Sequence, residues 1–196
     1  MPDKDPAVVE LTKFIAAKKI DTNKPGWRTK LLAPPPIKKF SSRTYVWGLE
    51  TSKGVLKFKL MPQAAPYHVA NCLYLTLLGY YDGLGLHRVI PGFMAQGGCP
   101  KGDGSGSPGY EFDGECRPDV KHDKPGTLST ANSGPGTDGS QFFITFVPTP
   151  HLNNKHTVYG ELYDGSTTLA TIEMYGSPSG KPVEKLLIQK ATIEIA

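Results

Sequence analysis

Glycine and proline interrupt this chain so often that long regular segments can form in only a few places. The 196 residues include 22 glycines and 18 prolines, which follow no repeating period. Because both residues favour tight turns, this usage predicts a β-rich fold, and the lack of a period excludes a collagen-like chain. A hydrophobic content of 38% is typical of a globular protein with a buried core.

Short runs of alternating apolar and polar residues predict the strands. "TYVWGLETSKGVLKFKL" predicts two strands around a Ser-Lys-Gly turn, "KHTVYGELYDG" a further strand pair, and "EKLLIQKATIEI" a closing strand. "APYHVANCLYLTLLGYY" and "STTLATIEMYG" predict two helices. We therefore predict a mainly β fold, a closed antiparallel β-barrel capped by two α-helices, because closure removes exposed strand edges.

The start of the chain differs from the rest in charge and in pattern. Residues 1–43 hold ten Lys or Arg against four Asp or Glu, whereas the remainder holds twelve against fourteen. Residues 6–19 have helical spacing, and "APPP" predicts a stiff polyproline spacer. We place a boundary near Ser42, which divides the chain into a basic arm, residues 1–42, with a helical and an extended part, and a main domain, residues 43–196.

The arm allows two interpretations. Its lysines are interleaved with Phe14, Trp27 and Phe40 and could contact nucleic acid, but the cations do not form a run. We favour a solvated extension that packs its few apolar side chains on the barrel. No nucleic-acid partner is predicted, and we expect a monomer.

The sequence lacks features of export or membrane insertion. The apolar run near the start, "FIAA", is too short for a signal-peptide core, and no stretch approaches the roughly 18 apolar residues of a membrane span. Cys72, Cys99 and Cys116 are an odd number without CxxC spacing, which favours a reducing compartment. We expect a cytoplasmic protein that contacts no membrane; a redox role for Cys99 or Cys116 stays open.

Two stretches combine amides, apolar pairs and glycines in the same way. They are "HRVIPGFMAQGG", residues 87–98, and "ANSGPGTDGSQFFIT", residues 131–145. Side chains alternate along a strand, so Gln141 shares a face with Phe143, while Phe142 points the opposite way.

The same alternation joins Met94 with Gln96 in the first stretch. Each stretch therefore offers an apolar group beside an amide. An apolar pocket for a ring, with amides for the adjoining backbone, is the chemistry of a groove that binds a proline-containing peptide.

Other catalytic and metal-binding patterns are weak. Ser129, His156 and Asp138 could form a hydrolase set, but no serine lies in a G-x-S-x-G elbow. His151 and His156 lack a carboxylate or cysteine nearby, so zinc is not expected. The glycines of "GDGSGSPG" lack the Lys-Ser/Thr that follows in a phosphate loop. We predict neither a metal nor another cofactor.

In their order and spacing, three blocks resemble the signatures of the cyclophilin family of peptidyl-prolyl cis-trans isomerases: "HRVIPGFMAQGG", "GTLSTANSGPGTDGSQFFIT" and "HLNNKHTVYGEL". The likeness covers roughly four-fifths of the chain, from about Tyr45 to Ile195. It implies an eight-stranded barrel with a helix at each end. It also implies an enzyme that rotates X-Pro bonds in protein folding or conformational switching, without a covalent intermediate, and that binds proline-containing peptides and proteins.

The resemblance also implies roles for residues of this sequence. Arg88 is the expected catalytic residue. The residues expected to form the proline pocket are Phe93, Met94, Phe143 and Leu152. The remaining expected substrate-binding residues are Gln96, Ala131, Asn132, Gln141, His151 and His156.

Three positions depart from the common pattern of the family. His151 stands where the best-known members have a tryptophan that contacts the drug cyclosporin, so the resemblance predicts weak cyclosporin binding. Leu86 replaces a usual phenylalanine, and Cys99 replaces a usual aspartate. The short link between Gly79 and His87 resembles the compact members of bacteria and of the spliceosome.

Two rival hypotheses stay open at this point. The chain could be a proline-peptide binding module in which turnover is incidental. The arm, which has no counterpart in a minimal member, could fold over the groove or dock a partner.

Overall fold

The computed structural model describes residues 4–196, so residues 1–3 of the predicted arm lie outside it. The helices are α1 (Pro6–Lys18), α2 (Pro66–Leu77) and α3 (Ser166–Met174), with short 3-10 turns at Trp27–Thr29 and Pro150–Leu152. The strands are β1 (Tyr45–Thr51), β2 (Gly54–Leu60), β3 (Arg88–Ile90), β4 (Met94–Gly97), β5 (Thr127–Thr130), β6 (Phe142–Thr145), β7 (Val158–Asp164) and β8 (Ile188–Ile195). None of these helices has the length and apolarity needed to span a membrane.

The eight strands form one antiparallel sheet with the order β3-β4-β6-β5-β7-β2-β1-β8. Over the described range, the end strands β3 and β8 do not pair with each other, and an isolated bridge between Gly85 and Leu187 lies just outside them. The mainly β fold with eight antiparallel strands is confirmed, but the predicted closed barrel is wrong, because the sheet is an open half-barrel.

The free edge of β3 is covered by a loop instead of by a strand. The Val89 N–H donates to the Gly180 carbonyl at 2.8 Å, and the Ser177 N–H donates to the Val89 carbonyl at 3.1 Å. Because these bonds already satisfy backbone groups of the short edge strand, strand-to-strand closure is not required.

The predicted strand pair in "KHTVYGELYDG" is also wrong, since the segment forms the single strand β7 between β2 and β5. Gly160 is not part of a turn. A Cβ atom at this position would lie 3.1 Å from both Lys59 O and Leu128 Cδ2. The glycine therefore reflects close packing between neighbouring strands.

Aromatic rings fill the space enclosed by the sheet. Trp47 packs against Phe142 and Tyr81, with ring centroids 5.0 and 5.2 Å apart. Its Nε1–H donates to Thr76 Oγ1 of α2 at 2.9 Å, which satisfies the one polar atom of the ring. α2 thus covers one side of this core, and the buried apolar residues of α3 also pack against it.

The arm packs on the outer side of α2. Residues 68–76 of α2 are all buried, because the sheet covers one side of the helix and α1 covers the other. Ala7 and Leu11 of α1 are fully buried in this contact, and Phe14 packs edge-on against Tyr74 with centroids 5.8 Å apart. The arm therefore shares the core of the main domain.

Asp5 fixes the beginning of α1 to the sheet. Its Oδ1 accepts a hydrogen bond from the Ala7 N–H at 3.0 Å, which caps the helix. Its Oδ2 accepts from the Tyr45 hydroxyl at 2.8 Å and from Ser41 Oγ at 2.6 Å. One buried carboxylate thus ties the helix to β1 and to the end of the arm.

Candidate functional site

A cleft of about 490 Å³ opens on the face of β4 and β6 that points away from the core. We call it the groove. Every predicted site residue except His151 lines it: Arg88, Phe93, Met94, Gln96, Ala131, Asn132, Gln141, Phe143, Leu152 and His156. No residue from the described part of the arm is among its lining residues.

Strand pairing places three of these residues in one row. Arg88 on β3 pairs with Gln96 on β4, and Gln96 pairs with Phe143 on β6. Directly paired residues project on the same face of a sheet. The cation, the amide and the apolar ring therefore lie side by side because of the register alone.

Met94 and Phe143 form an apolar floor, with exposed fractions of 2% and 4%. Phe143 stacks on His122 at 5.8 Å and meets His156 edge-on at 5.4 Å. Burial lowers the pKa of His122, so a neutral ring supports Phe143 from below. The floor can accept a non-polar ring without placing a charge beneath it.

A chain of amides connects Arg88 to the wall of the groove. Gln141 Nε2 donates to the carbonyls of Gly104 and Gly106 at 2.7 and 3.0 Å. Because this nitrogen is committed, Gln141 Oε1 accepts from Gln96 Nε2 at 3.0 Å. Gln96 Oε1 in turn accepts from Arg88 Nη1 at 3.4 Å. The loop backbone thus fixes the orientation of both amides and leaves an oxygen facing the guanidinium.

Arg88 itself is exposed at the edge strand β3. Among residues 4–196, no carboxylate lies within ion-pair distance of its guanidinium. Its charge is therefore not neutralised by a partner and can act on a molecule in the groove.

Residues 104–107 form a wall of the groove that the sequence interpretation missed. Cys99 Sγ accepts hydrogen bonds from the backbone N–H groups of Gly104 and Gly106 at 3.2 and 3.3 Å. This thiol shapes the loop whose carbonyls hold Gln141. The signal in the sequence was the glycine-rich segment after the first motif, which was considered only as a phosphate loop.

The opposite wall presents backbone groups. The Ala131 N–H donates to the Gln141 carbonyl at 3.0 Å. Asn132 Nδ2 donates to Asp138 Oδ1 at 2.8 Å and to the Lys155 carbonyl at 3.1 Å, which directs the side chain away from the floor. In the described chain the backbone N–H and carbonyl of Asn132 make no hydrogen bond, so both are available to a peptide.

His156 and His151 differ in their relation to the groove. His156 Nδ1 lies 3.0 Å from the Thr130 carbonyl and donates to it, which fixes the orientation of the ring at the groove. His151 does not line the groove. It stacks on Phe93, with ring centroids 5.7 Å apart, and supports that residue from the rim.

The hypothetical hydrolase set of Ser129, His156 and Asp138 is not assembled in the structure. Ser129 is fully buried, its Oγ lies 2.9 Å from His122 Nε2, and the same hydroxyl donates to the Thr157 carbonyl at 2.9 Å. Within residues 4–196, no three His, Cys, Asp or Glu side chains are grouped so that they could hold a metal ion. The geometry therefore favours binding and electrostatic stabilisation over nucleophilic chemistry.

Comparison with protein-family models gives a match to the cyclophilin-type peptidyl-prolyl cis-trans isomerases over residues 46–193. The whole arm, residues 1–42, lies outside this matched range.

Two relatives illustrate the range of similar proteins. Peptidyl-prolyl cis-trans isomerase-like 2 of Cryptococcus neoformans is 46% identical over 153 residues, which are 74% of this chain and 26% of that protein. The chain thus spans about a quarter of the length of that relative. Peptidyl-prolyl cis-trans isomerase A of Mycobacterium tuberculosis is 41% identical over 163 residues, which are 74% of this chain and 90% of that protein.

A solved structure has the same fold. The crystal structure of a Cryptosporidium parvum cyclophilin-type peptidyl-prolyl cis-trans isomerase superposes with a TM-score of 0.74 at 39% sequence identity, covering 77% of this chain and 98% of that one. A second crystal structure of the same parasite protein, in the presence of the dipeptide Ala-Pro, gives a TM-score of 0.73.

Proposed function

The chain belongs to the cyclophilin-type peptidyl-prolyl cis-trans isomerase family, and we propose that its groove catalyses rotation about X-Pro peptide bonds. One observation carries the proposal: Arg88, Gln96 and Phe143 lie in one row across β3, β4 and β6. A permanent cation, an amide and an apolar floor are thereby adjacent in a cleft that is open to a peptide.

The reaction forms and breaks no covalent bond; only the partial double-bond character of the amide C–N bond is lost during rotation. The barrier to rotation is about 18–20 kcal/mol because amide resonance is lost at the half-rotated geometry. Uncatalysed X-Pro exchange therefore takes roughly 10–100 s. A catalyst only has to bind the twisted amide more tightly than either planar form.

The floor binds the proline ring. Met94 and Phe143 provide a buried apolar surface, and Phe93 and Leu152 add to the lining beside it. This contact excludes water from the imide nitrogen, which strengthens any hydrogen bond made there.

Arg88 stabilises the half-rotated state. When the amide twists, the proline nitrogen becomes pyramidal and gains a lone pair. The guanidinium donates to that lone pair or to the adjoining carbonyl oxygen, and no competing carboxylate within residues 4–196 draws it away. Gln96 holds the guanidinium at the edge of the floor, because its own amide is oriented by Gln141.

The flanking peptide is held while the carbonyl side rotates. Asn132, whose backbone groups are free, and His156, whose Nδ1 is held by the Thr130 carbonyl, both line the groove and can bind the peptide backbone. Because they bind planar and twisted forms alike, we expect them to affect KM more than kcat.

Finer features of the function follow from the same residues. Proline-containing peptides and proteins are the proposed partners. Cyclosporin binds weakly, since His151 offers a smaller ring than tryptophan and is engaged with Phe93. The protein acts as a cytoplasmic monomer without a metal or other cofactor, and residues 1–42 form an extension of the catalytic domain, residues 43–196.

The test is an isomerase assay on a short Ala-Pro-Phe peptide with wild-type protein and Arg88→Ala. Wild type should accelerate cis-trans exchange, and Arg88→Ala should lower kcat/KM by about 10²–10³-fold, the usual cost of removing one donor to a developing charge. The melting temperature should stay close to wild type, because Arg88 is exposed.

The matched control is Arg43→Ala, which removes an exposed arginine outside the groove. A wild-type rate equal to that of buffer would refute the proposal, and tight peptide binding without turnover would favour the binding-module alternative. Equal rates for wild type and Arg88→Ala would remove the role assigned to the guanidinium.

A further inference from the structure

We infer that His68 is a positioning residue of the groove, which fixes Asp138 and, through Asp138, the peptide-binding residue Asn132. The inference rests on the proposed function, because it concerns the same groove. His68 lies on α2, is 2% exposed and does not contact the groove itself.

Both ring nitrogens of His68 face carboxylates. Nδ1 lies 2.7 Å from Glu115 Oε2, and Nε2 lies 2.8 Å from Asp138 Oδ2. A neutral imidazole has one lone pair, which would then point at a carboxylate oxygen. The geometry therefore requires a proton on both nitrogens, so His68 is an imidazolium between two carboxylates.

The electrostatic surroundings agree with this charge. Burial by itself lowers the pKa of His68, but the hydrogen bonds that its ring donates to Asp138 and Glu115 outweigh burial and raise the pKa above its usual value. For Glu115, burial opposes ionisation, yet the bonds from the His68 ring and from two backbone N–H groups lower its pKa.

The other titratable groups near His68 are uncharged. They are Tyr159 of β7, and Tyr67 and Cys72 of α2 itself, and burial raises the pKa of each of them. Phe112, from the segment that carries Glu115, packs edge-on against the imidazole ring at 5.0 Å. The imidazolium therefore has only the two carboxylates as counter-ions among the neighbouring described residues.

Glu115 ties this cluster to the beginning of α2. The residue before the helix, Ala65, has no side chain that could cap it. Glu115 replaces the missing cap from a distant loop: Oε1 accepts from the Tyr67 N–H at 3.1 Å and Oε2 from the His68 N–H at 2.9 Å. The position of His68 is therefore set by the helix and by the loop together.

Asp138 transmits this position to the groove. It is 1% exposed, and while Oδ2 binds His68, Oδ1 accepts the Asn132 Nδ2 hydrogen bond at 2.8 Å. Its backbone also pairs with Phe112 in both directions. Without His68, the Asp138 carboxylate would lose its counter-ion in a buried site and would turn toward water, away from Asn132.

The matched variants are Asp138→Ala and Asp138→Asn. Alanine removes the acceptor for Asn132, so we expect the dissociation constant of an Ala-Pro-Phe peptide to rise about tenfold, equivalent to about 1.4 kcal/mol. Asparagine keeps an oxygen for Asn132 and offers an NH₂ to a neutral His68, so most of the affinity should return. Asp113→Ala, an exposed acid in the neighbouring loop, is the control and should bind as wild type does.

The separate effects on KM and kcat distinguish a positioning role from a general loss of folded protein. Asp138→Ala should raise KM with little change in kcat, because Asn132 holds the peptide in planar and twisted states alike. Wild-type affinity should fall as the pH rises through the raised pKa of His68, since deprotonation leaves a lone pair facing a carboxylate. Asp138→Asn should remove this dependence.

A measurement on the wild type keeps the inference testable if Asp138→Ala fails to fold. The ¹⁵N chemical shifts of the His68 ring at pH 7 should show protons on both nitrogens. A singly protonated ring, or a folded Asp138→Ala with unchanged peptide affinity, would overturn the inference. Peptide binding and ring protonation do not depend on turnover, so an inactive wild type would refute the proposed function without deciding the role of His68.

Discussion

The two faces of β6 carry neighbouring phenylalanines with different surroundings. Phe142 is fully buried and packs against the rings of Trp47 and Tyr81. Phe143 is nearly as buried, at 4% exposure, but its neighbours are two histidines and the open groove.

This comparison shows that burial alone does not distinguish a core residue from a site residue. The difference lies in the neighbours. On the core face, aromatic rings pack on each other, and the few polar atoms among them are paired. On the groove face, the ring adjoins amides, imidazoles and a cation whose hydrogen bonds are fixed from outside. The first environment stabilises the fold, and we propose that the second binds the peptide.

The largest expected effect tests this comparison directly. Phe142→Ala should lower the free energy of unfolding by about 3–5 kcal/mol, because it opens a cavity among packed rings. Phe143→Ala should cost less, about 1–3 kcal/mol, because water can enter the space from the groove, yet it should reduce kcat/KM far more. Urea denaturation and the isomerase assay measure the two losses. Equal losses of stability and of activity in both variants would contradict the distinction.

The effect of intermediate size is a loss of stability without a loss of activity. Asp5→Ala removes a helix cap and the carboxylate that accepts from the buried Tyr45 hydroxyl, so the free energy of unfolding should fall by about 2–3 kcal/mol. Because no described residue of the arm lines the groove, kcat/KM should stay within about twofold of wild type below the melting transition. Asp21→Ala, an exposed acid of the arm, serves as control; a tenfold loss of activity in Asp5→Ala would link the arm to the groove.

The smallest expected effect is a loss of activity without a loss of stability. Gln141→Glu places a carboxylate oxygen against the carbonyls of Gly104 and Gly106, which reverses the orientation of the amide chain. We expect kcat/KM to fall about tenfold while the unfolding midpoint changes little, since the groove is open to water. Gln63→Glu makes the same chemical change at an exposed position. Unchanged activity in Gln141→Glu would show that the amide chain does not orient Arg88.

Local alternation predicted the two faces of β6 and their neighbours on β4. The period of two placed Gln141 with Phe143 and turned Phe142 inward, and the structure confirms both placements. Such a pattern depends only on strand geometry, which is local. The helix beginning at Pro66 was predictable because its helical pattern is also local in the sequence.

Features that depend on distant partners could not be predicted. The openness of the sheet depends on how loop 177–180 meets β3, and the single strand at residues 158–164 was predicted as a strand pair because the neighbours of Gly160 come from other strands. His68 was overlooked because its partners Glu115 and Asp138 lie 47 and 70 residues away in the sequence. The wall at 104–107 was missed because its contribution comes from backbone carbonyls, which leave no pattern of side chains.

The position of α2 between the sheet and the arm has a consequence for how the molecule opens. Its backbone amides from 68 to 76 are shielded on both sides, so solvent deuterium reaches them only when the whole domain unfolds. α3 is covered on one side only and ends at the largely exposed Met174, so its amides exchange through local fraying. We therefore expect the amide protons of α2, the helix that carries His68, to exchange more slowly than those of α3.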